Sequence, residues 1–190
     1  MRTVFFDIDT QLDFLVPAVA LYVPGAERLI PAIALLNQRA PVVVSTTDAH
    51  AENDPEFRDW PGHCVAGTWG QRKPAATLLE PRVVIANRPA DLDVEGARQI
   101  ILEKQALDAF TNPNLARLLG LLAADRYVVY GVVTEYCVSC AALGLLRTGK
   151  PVSLVADAIQ ALDPAAAERT LAEFRQQGGR LETIETVCGS

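Results

Sequence analysis

Six short apolar runs, rich in β-branched residues, recur along the chain: TVFFDI (3–8), VVVSTT (42–47), QIILEK (99–104), YVVYGVV (127–133), VSLVAD (152–157) and LETIET (181–186). Runs of this length and composition read as strands. Between them, PGAERLIPAIALLNQRA, NPNLARLLGLLAAD, TEYCVSCAALGLLRTG and DPAAAERTLAEFRQQGG space their apolar residues as helices do. Asn112 with Pro113 and Asp163 with Pro164 read as N-cap-plus-proline starts, and Gly149 and Gly178 as helix ends. Buried strands alternating with helices predict an α/β fold: one domain spanning 1–190, with a parallel sheet covered on both faces. The proline-rich segment 48–98 breaks the rhythm and is too long for a plain crossover, which marks it as an irregular functional insertion.

Composition narrows the class. A chain of 190 residues that is 50% hydrophobic and 21% charged is long enough for one sizeable core. Its net charge of −6 argues against a nucleic-acid partner. Asp7 and Asp9 interrupt the apolar N-terminus, so it does not read as a signal peptide, and no apolar run suits a bilayer span. The expectation is a cytoplasmic protein whose four cysteines are reduced thiols.

Ligands of open α/β sheets bind beyond the carboxyl ends of the strands. The first strand ends on Asp9, the second runs into Asp48-Ala-His50, the third ends on Lys104, and the fourth runs through Gly131 to Cys137. A carboxylate, a metal-binding set, an amine and a thiol should therefore share one sheet edge. Both histidines of the chain, His50 and His63, fall in the same stretch as Asp48, and the three read as a metal site. Cys137 follows a strand and is expected in the first turn of a helix, with Thr134 as N-cap. There the helix end should lower its thiol pKa from ~8.5. Rival readings are a packed core cysteine, a Cys137-Val-Ser-Cys140 redox pair, and a structural zinc site of Cys137, Cys140, His50 and His63. The last leaves Asp9, Lys104 and Asp48 unexplained. If both histidines bind metal, Asp9 is the candidate base for the thiol, with Lys104 stabilising the thiolate.

Asp9-Thr-Gln-Leu-Asp13-Phe14, Lys104 with Phe110 after it, and Gly131-Val-Val-Thr-Glu-Tyr-Cys137-Val together resemble the cysteine hydrolases of the isochorismatase-like superfamily. Asp48-x-His50 and Trp60-Pro-Gly-His63 resemble its nicotinamidase branch, and the likeness runs from about residue 3 to 187. The resemblance implies a six-stranded parallel sheet in a three-layer sandwich, a homo-oligomer, and a catalytic triad of Asp9, Lys104 and Cys137. It implies a divalent metal on Asp48, His50 and His63, zinc foremost, with iron or manganese as alternatives. Glu56, seven residues before His63, matches a fourth ligand found in some relatives. Asp54 and Asp59 are expected to be a solvated acidic loop. Backbone N–H groups of Val133 and Cys137 are implied as the oxyanion hole, with a cis peptide before Val133, and Phe14 and Trp60 as pocket walls. The activity implied is hydrolysis of nicotinamide, or of another small substrate by a related amidase or isochorismatase-like hydrolase. Two departures stand out: Ala141 replaces a common Thr, and Pro81–Glu103 matches no substrate pattern. From another class, a zinc-binding or thiol-redox protein would use Cys137 and Cys140.

Overall fold

The computed structural model describes residues 1–19 and 21–189. In chain order its elements are β1 (Thr3–Ile8), α1 (Leu12–Leu15), α2 (Ile30–Arg39), β2 (Val43–Asp48), β3 (Arg82–Ile85), β4 (Gln99–Lys104), α3 (Leu115–Leu122), β5 (Arg126–Val132), α4 (Ser139–Leu146), β6 (Val152–Gln160), α5 (Pro164–Gln176), β7 (Arg180–Glu182) and α6 (Ile184–Cys188). The described residues form one parallel sheet in the order β3-β4-β2-β1-β5-β6-β7.

Alternation along the central strands builds the layers, because successive strand side chains point to opposite faces. Phe6, Ile8, Val44, Leu102 and Val129 pack with Leu115 and Leu118 of α3, Leu145 of α4 and Phe174 of α5. Phe5, Val43, Val128 and Tyr130 pack on the other face with Leu15 of α1 and Ile33 and Leu36 of α2. No helix of the described residues is long and apolar enough to cross a membrane.

Three expectations need correction. The sheet has seven strands, because the 48–98 segment contributes β3. This is an edge strand in which Arg82 and Val84 are exposed, so it lacks the apolar run that marks a buried strand. The last run, LETIET, is a strand only as far as Glu182. There Thr183 and Thr186 bond reciprocally to each other's backbone N–H and start α6. At Asp163 the expected cap is present, its side chain accepting from the Ala165 N–H. Asn112 instead accepts the Asn114 N–H at 2.8 Å, one turn ahead of α3.

Register sets the site. Ile8 pairs with both Thr46 and Gly131, and Asp48 with Lys104, so β1, β2, β4 and β5 end at the same sheet edge. Beneath that edge, a buried ion pair joins Lys73 Nζ to Asp7 Oδ2 at 2.9 Å. Asp7 also accepts from Thr10 Oγ1 (2.6 Å), Asn37 Nδ2 (3.1 Å) and Ser45 Oγ (3.2 Å). A buried charge pair supports a fold when its hydrogen-bonding capacity is filled, and this one ties the long insertion to β1, β2 and α2.

Gly131 carries the closest approach in the sheet. Its φ is +121°, and a Cβ there would lie 2.2 Å from the Ile8 carbonyl oxygen, backbone that cannot yield cheaply. Gly131→Ala should destabilise the protein by at least ~3 kcal/mol, read as a lower urea midpoint. A midpoint within error of wild type would refute this account.

Candidate active site

The turn carrying the thiol begins where β5 ends. The Val132–Val133 peptide is cis, as the family resemblance implied. The Val133 carbonyl accepts from both Tyr136 N–H (3.0 Å) and Val138 N–H (3.2 Å), giving a wide turn. Tyr136 leaves helical geometry (φ −119°, ψ −105°), and regular helix resumes only at Ser139. Cys137 therefore sits in a kinked turn ahead of α4. Val133, without a side-chain oxygen, occupies the cap position, and Thr134 Oγ1 is buried without a hydrogen-bond partner. The expected Thr134 cap is absent.

The electrostatic expectation for the thiol is also reversed. Burial pushes Cys137 well above the ordinary thiol range. Asp9 and Asp48 push the same way, and Lys104 opposes them. The resting group is a neutral thiol, and a base must remove its proton.

Lys104 stands at the centre of the cluster. Its Nζ lies 2.9 Å from Asp9 Oδ2, donates to Asp48 Oδ1, and donates to Cys137 Sγ at 3.6 Å. Burial alone would depress its pKa, but Asp48, Asp9 and the thiol raise it well above the usual lysine value. It is a fixed ammonium. Asp9 is held in left-handed backbone (φ 48°) and accepts from Thr46 Oγ1 at 2.6 Å through Oδ1. Its Oδ2 faces Lys104 as an ion pair without completing a hydrogen bond, so it retains a lone pair for another proton.

Asp48 links this cluster to the histidines. Its backbone is clamped by Gln11, whose Oε1 accepts the Asp48 N–H (2.7 Å) and whose Nε2 donates to the Asp48 carbonyl (2.8 Å). Burial pushes its carboxyl up to about 6, with Asp9 adding to the rise and Lys104 opposing it.

Ligand atoms of Asp48, His50 and His63, all buried, lie within 4.8 Å of one another. His50 is wholly buried, and neither ring nitrogen completes a hydrogen bond. His63 Nδ1 is 2.8 Å from the Pro61 carbonyl oxygen, which sets a proton on Nδ1 and leaves the Nε2 lone pair facing the cluster. Burial lowers the His63 pKa, favouring the neutral ring that a metal requires. An orphaned buried imidazole, a neutral partner and a carboxylate fit a divalent ion. Glu56 is beside this set: its Oε1 is 4.0 Å from His63 Nε2, and it groups with His50 and Asp54.

Asp54 corrects the sequence reading. Far from being a solvated loop carboxylate, it is mostly buried, with Oδ2 3.0 Å from His50 Nδ1. Asp59 is exposed, as expected. Among the described residues, neither ligand cluster includes a cysteine, and all four cysteines are free. The Cys-zinc reading thus finds no support.

Both clusters open into one cavity of about 390 Å³, counting its solvent-open mouth. Asp9, Cys137, Asp48 and His63 line it, together with the two expected aromatic walls, Phe14 and Trp60. Trp60 meets Tyr136 edge-on at 5.4 Å, and Phe14 tilts against the His63 ring at 5.4 Å. Sequence reasoning missed the roles of Gln11, Asp13 and Asp54. Asp13 Oδ2 accepts the Cys64 N–H at 2.7 Å and so anchors the segment next to His63. Gln11 and Asp13 lie within the Asp9–Phe14 motif and Asp54 lies four residues after His50, so proximity was the available signal.

Comparison with known proteins agrees with this geometry. The Isochorismatase domain model matches residues 3–186. A nicotinamidase of Acinetobacter baylyi is 25% identical over 176 residues, covering 82% of this chain and 80% of its own. The pyrazinamidase of Pyrococcus horikoshii, solved in complex with zinc, superposes with a TM-score of 0.78 at 30% identity, covering 96% of this chain and 99% of its own. PnC1 from L. infantum, solved in complex with nicotinate, gives a TM-score of 0.80 at 28% identity, over 96% and 92%. A family model spanning nearly every residue, carried by a fold that matches along its whole length, makes this chain a member of the isochorismatase domain family.

Proposed function

We propose that this family hydrolase is a metal-dependent nicotinamidase, converting nicotinamide and water to nicotinate and ammonia through a thioester on Cys137. The observation that carries the reading is the shared cavity: Cys137 and Asp9 of the thiol–carboxylate–ammonium cluster, and Asp48 and His63 of the His-His-Asp cluster, line one small space. The wall chemistry supports a neutral, flat substrate. Three carboxyl side chains, Asp9, Asp48 and Glu56, line the cavity, and among the described lining residues there is no Lys or Arg to receive a substrate anion. That weighs against a carboxylate-bearing substrate such as isochorismate.

In this reading Asp9 Oδ2 takes the Cys137 proton as sulfur attacks the amide carbon. Lys104, 2.9 Å from Asp9 Oδ2, holds that side chain in place and offsets charge on sulfur. Backbone N–H groups of Val133 and Cys137 receive the developing oxyanion. Asp9 returns the proton to the departing ammonia, then accepts one from the water that cleaves the thioester. Asp48, His50 and His63 would hold a divalent ion, which would supply a Lewis acid to the substrate's ring nitrogen. Phe14 and Trp60 would contribute apolar walls to that ring's site.

Ammonia release from nicotinamide, measured before and after chelation, tests the proposal. The expected result is turnover that falls ~100-fold or more without metal and returns when zinc, iron or manganese is restored. Turnover untouched by a chelator that demonstrably strips the ion would refute metal dependence. Absence of turnover by the metal-loaded protein would refute nicotinamide as substrate.

A further inference from the structure

We infer that Asp54 is a positioning residue for the metal site, a clip whose two oxygens hold two different parts of it. This rests on the reading that the ion sits on Asp48, His50 and His63. Oδ2 stands 3.0 Å from His50 Nδ1. Oδ1 accepts the Glu56 N–H at 3.0 Å and so starts the turn Pro55–Arg58. That turn carries Glu56 towards His63 Nε2. It also carries Phe57, whose ring lies 5.3 Å from the His50 ring and 5.6 Å from the His63 ring. One carboxylate thus orients an imidazole and sets the loop that packs against both.

The Oδ2 contact matters through the tautomer. It lies off the direction of the ring N–H, so it falls short of a straight hydrogen bond. Its electrostatic sense is nonetheless fixed. A proton on Nδ1 is attracted by a carboxylate 3.0 Å away, whereas an Nδ1 lone pair is repelled. Nδ1–H leaves the Nε2 lone pair for the side of the ring 4.0 Å from Asp48 Oδ1. His63 reaches the same tautomer through the Pro61 carbonyl. The two imidazoles are therefore set alike by two unlike acceptors. Carboxylate partners that fix a ligating ring typically change metal affinity by 10–100-fold when lost.

Asp54→Asn isolates this role because it keeps the side chain's shape. With the amide oxygen on the Glu56 N–H, the NH₂ group faces His50 Nδ1 and demands a lone pair there, moving the ring proton to Nε2. The reverse orientation sets NH₂ against the Glu56 N–H, a donor–donor clash, so the swapped tautomer is favoured. The ring then presents a proton where the ion needs a lone pair.

Two readouts test the inference: zinc affinity by competition with a chromogenic chelator, and long-range ¹H–¹⁵N spectra of the metal-free protein, which has only two imidazoles to assign. Wild type should bind zinc and show both rings as Nδ1–H. Asp54→Asn should bind zinc ~10–100-fold more weakly and show one ring as Nε2–H. Asp54→Ala should also weaken zinc, and Asp59→Asn, on the exposed side of the same loop, should match wild type. Zinc affinity of Asp54→Asn within twofold of wild type would overturn the clip while leaving the metal site intact. Nδ1–H retained in Asp54→Asn, or affinity lost beyond ~1,000-fold as for a deleted ligand, would also overturn it. Wild type that takes up no zinc, iron or manganese would overturn the site reading and the clip with it.

Discussion

Cys137→Ala should reduce nicotinamide turnover at least ~10⁴-fold, because it removes the atom to which the acyl group is transferred. Loss of fold does not explain such a result. The change deletes one sulfur from a buried site, a cavity cost of ~1–2 kcal/mol, and leaves Asp9, Lys104 and the ligand set in place. The variant should therefore keep its metal content and most of its thermal stability. Cys140→Ala separates hydrolysis from thiol redox chemistry. Cys140 is partly buried on α4 and is not among the residues lining the cavity, so its loss should leave kcat within ~3-fold of wild type. Equal loss in both variants, with both folded and metal-loaded, would refute a single-thiol mechanism. Turnover by Cys137→Ala would refute the nucleophile.

Much of the site was legible in the sequence because a parallel sheet converts order along the chain into position in space. Once four runs are read as parallel strands, their C-terminal residues must meet at one edge, and Asp9, Asp48 and Lys104 do so with Cys137 in the next turn. What escaped were features that depend on irregular backbone. β3 lacks a continuous apolar run because Val84 and Arg82 face solvent at the sheet edge. Asp54 reads as a loop carboxylate until the turn Pro55–Arg58 folds it against His50. Glu56 matches a relative's ligand by spacing, and that turn brings its Oε1 within 4.0 Å of His63 Nε2, in a cluster with His50 and Asp54. The thiol was misjudged for a different reason. Sequence placed Cys137 at a helix start, where partial positive charge favours thiolate, but gave no measure of its burial. Desolvation outweighs the ammonium of Lys104.

That reversal gives the last prediction its sign. If the rate were limited by thiolate population alone, removing a negative neighbour should help, since the charge of Asp9 holds the Cys137 proton in place. Asp9→Asn deletes that charge while Lys104 remains an ammonium braced by Asp48. The thiol pKa should fall, and alkylation of Cys137 by a small neutral electrophile should proceed at lower pH than in wild type. Hydrolysis should move the opposite way. An amide cannot carry a proton from sulfur to departing ammonia, nor accept one from the water that opens the thioester. Those transfers are each worth ~10²–10⁴-fold, so kcat should fall ~10³-fold or more with metal content unchanged. A thiol more easily ionised in an enzyme that barely turns over would identify Asp9 as the group that moves protons, and separate that role from any effect on thiolate population. If turnover instead rises or holds in step with the more acidic thiol, Asp9 is an electrostatic bystander and the base must be sought elsewhere in the cavity.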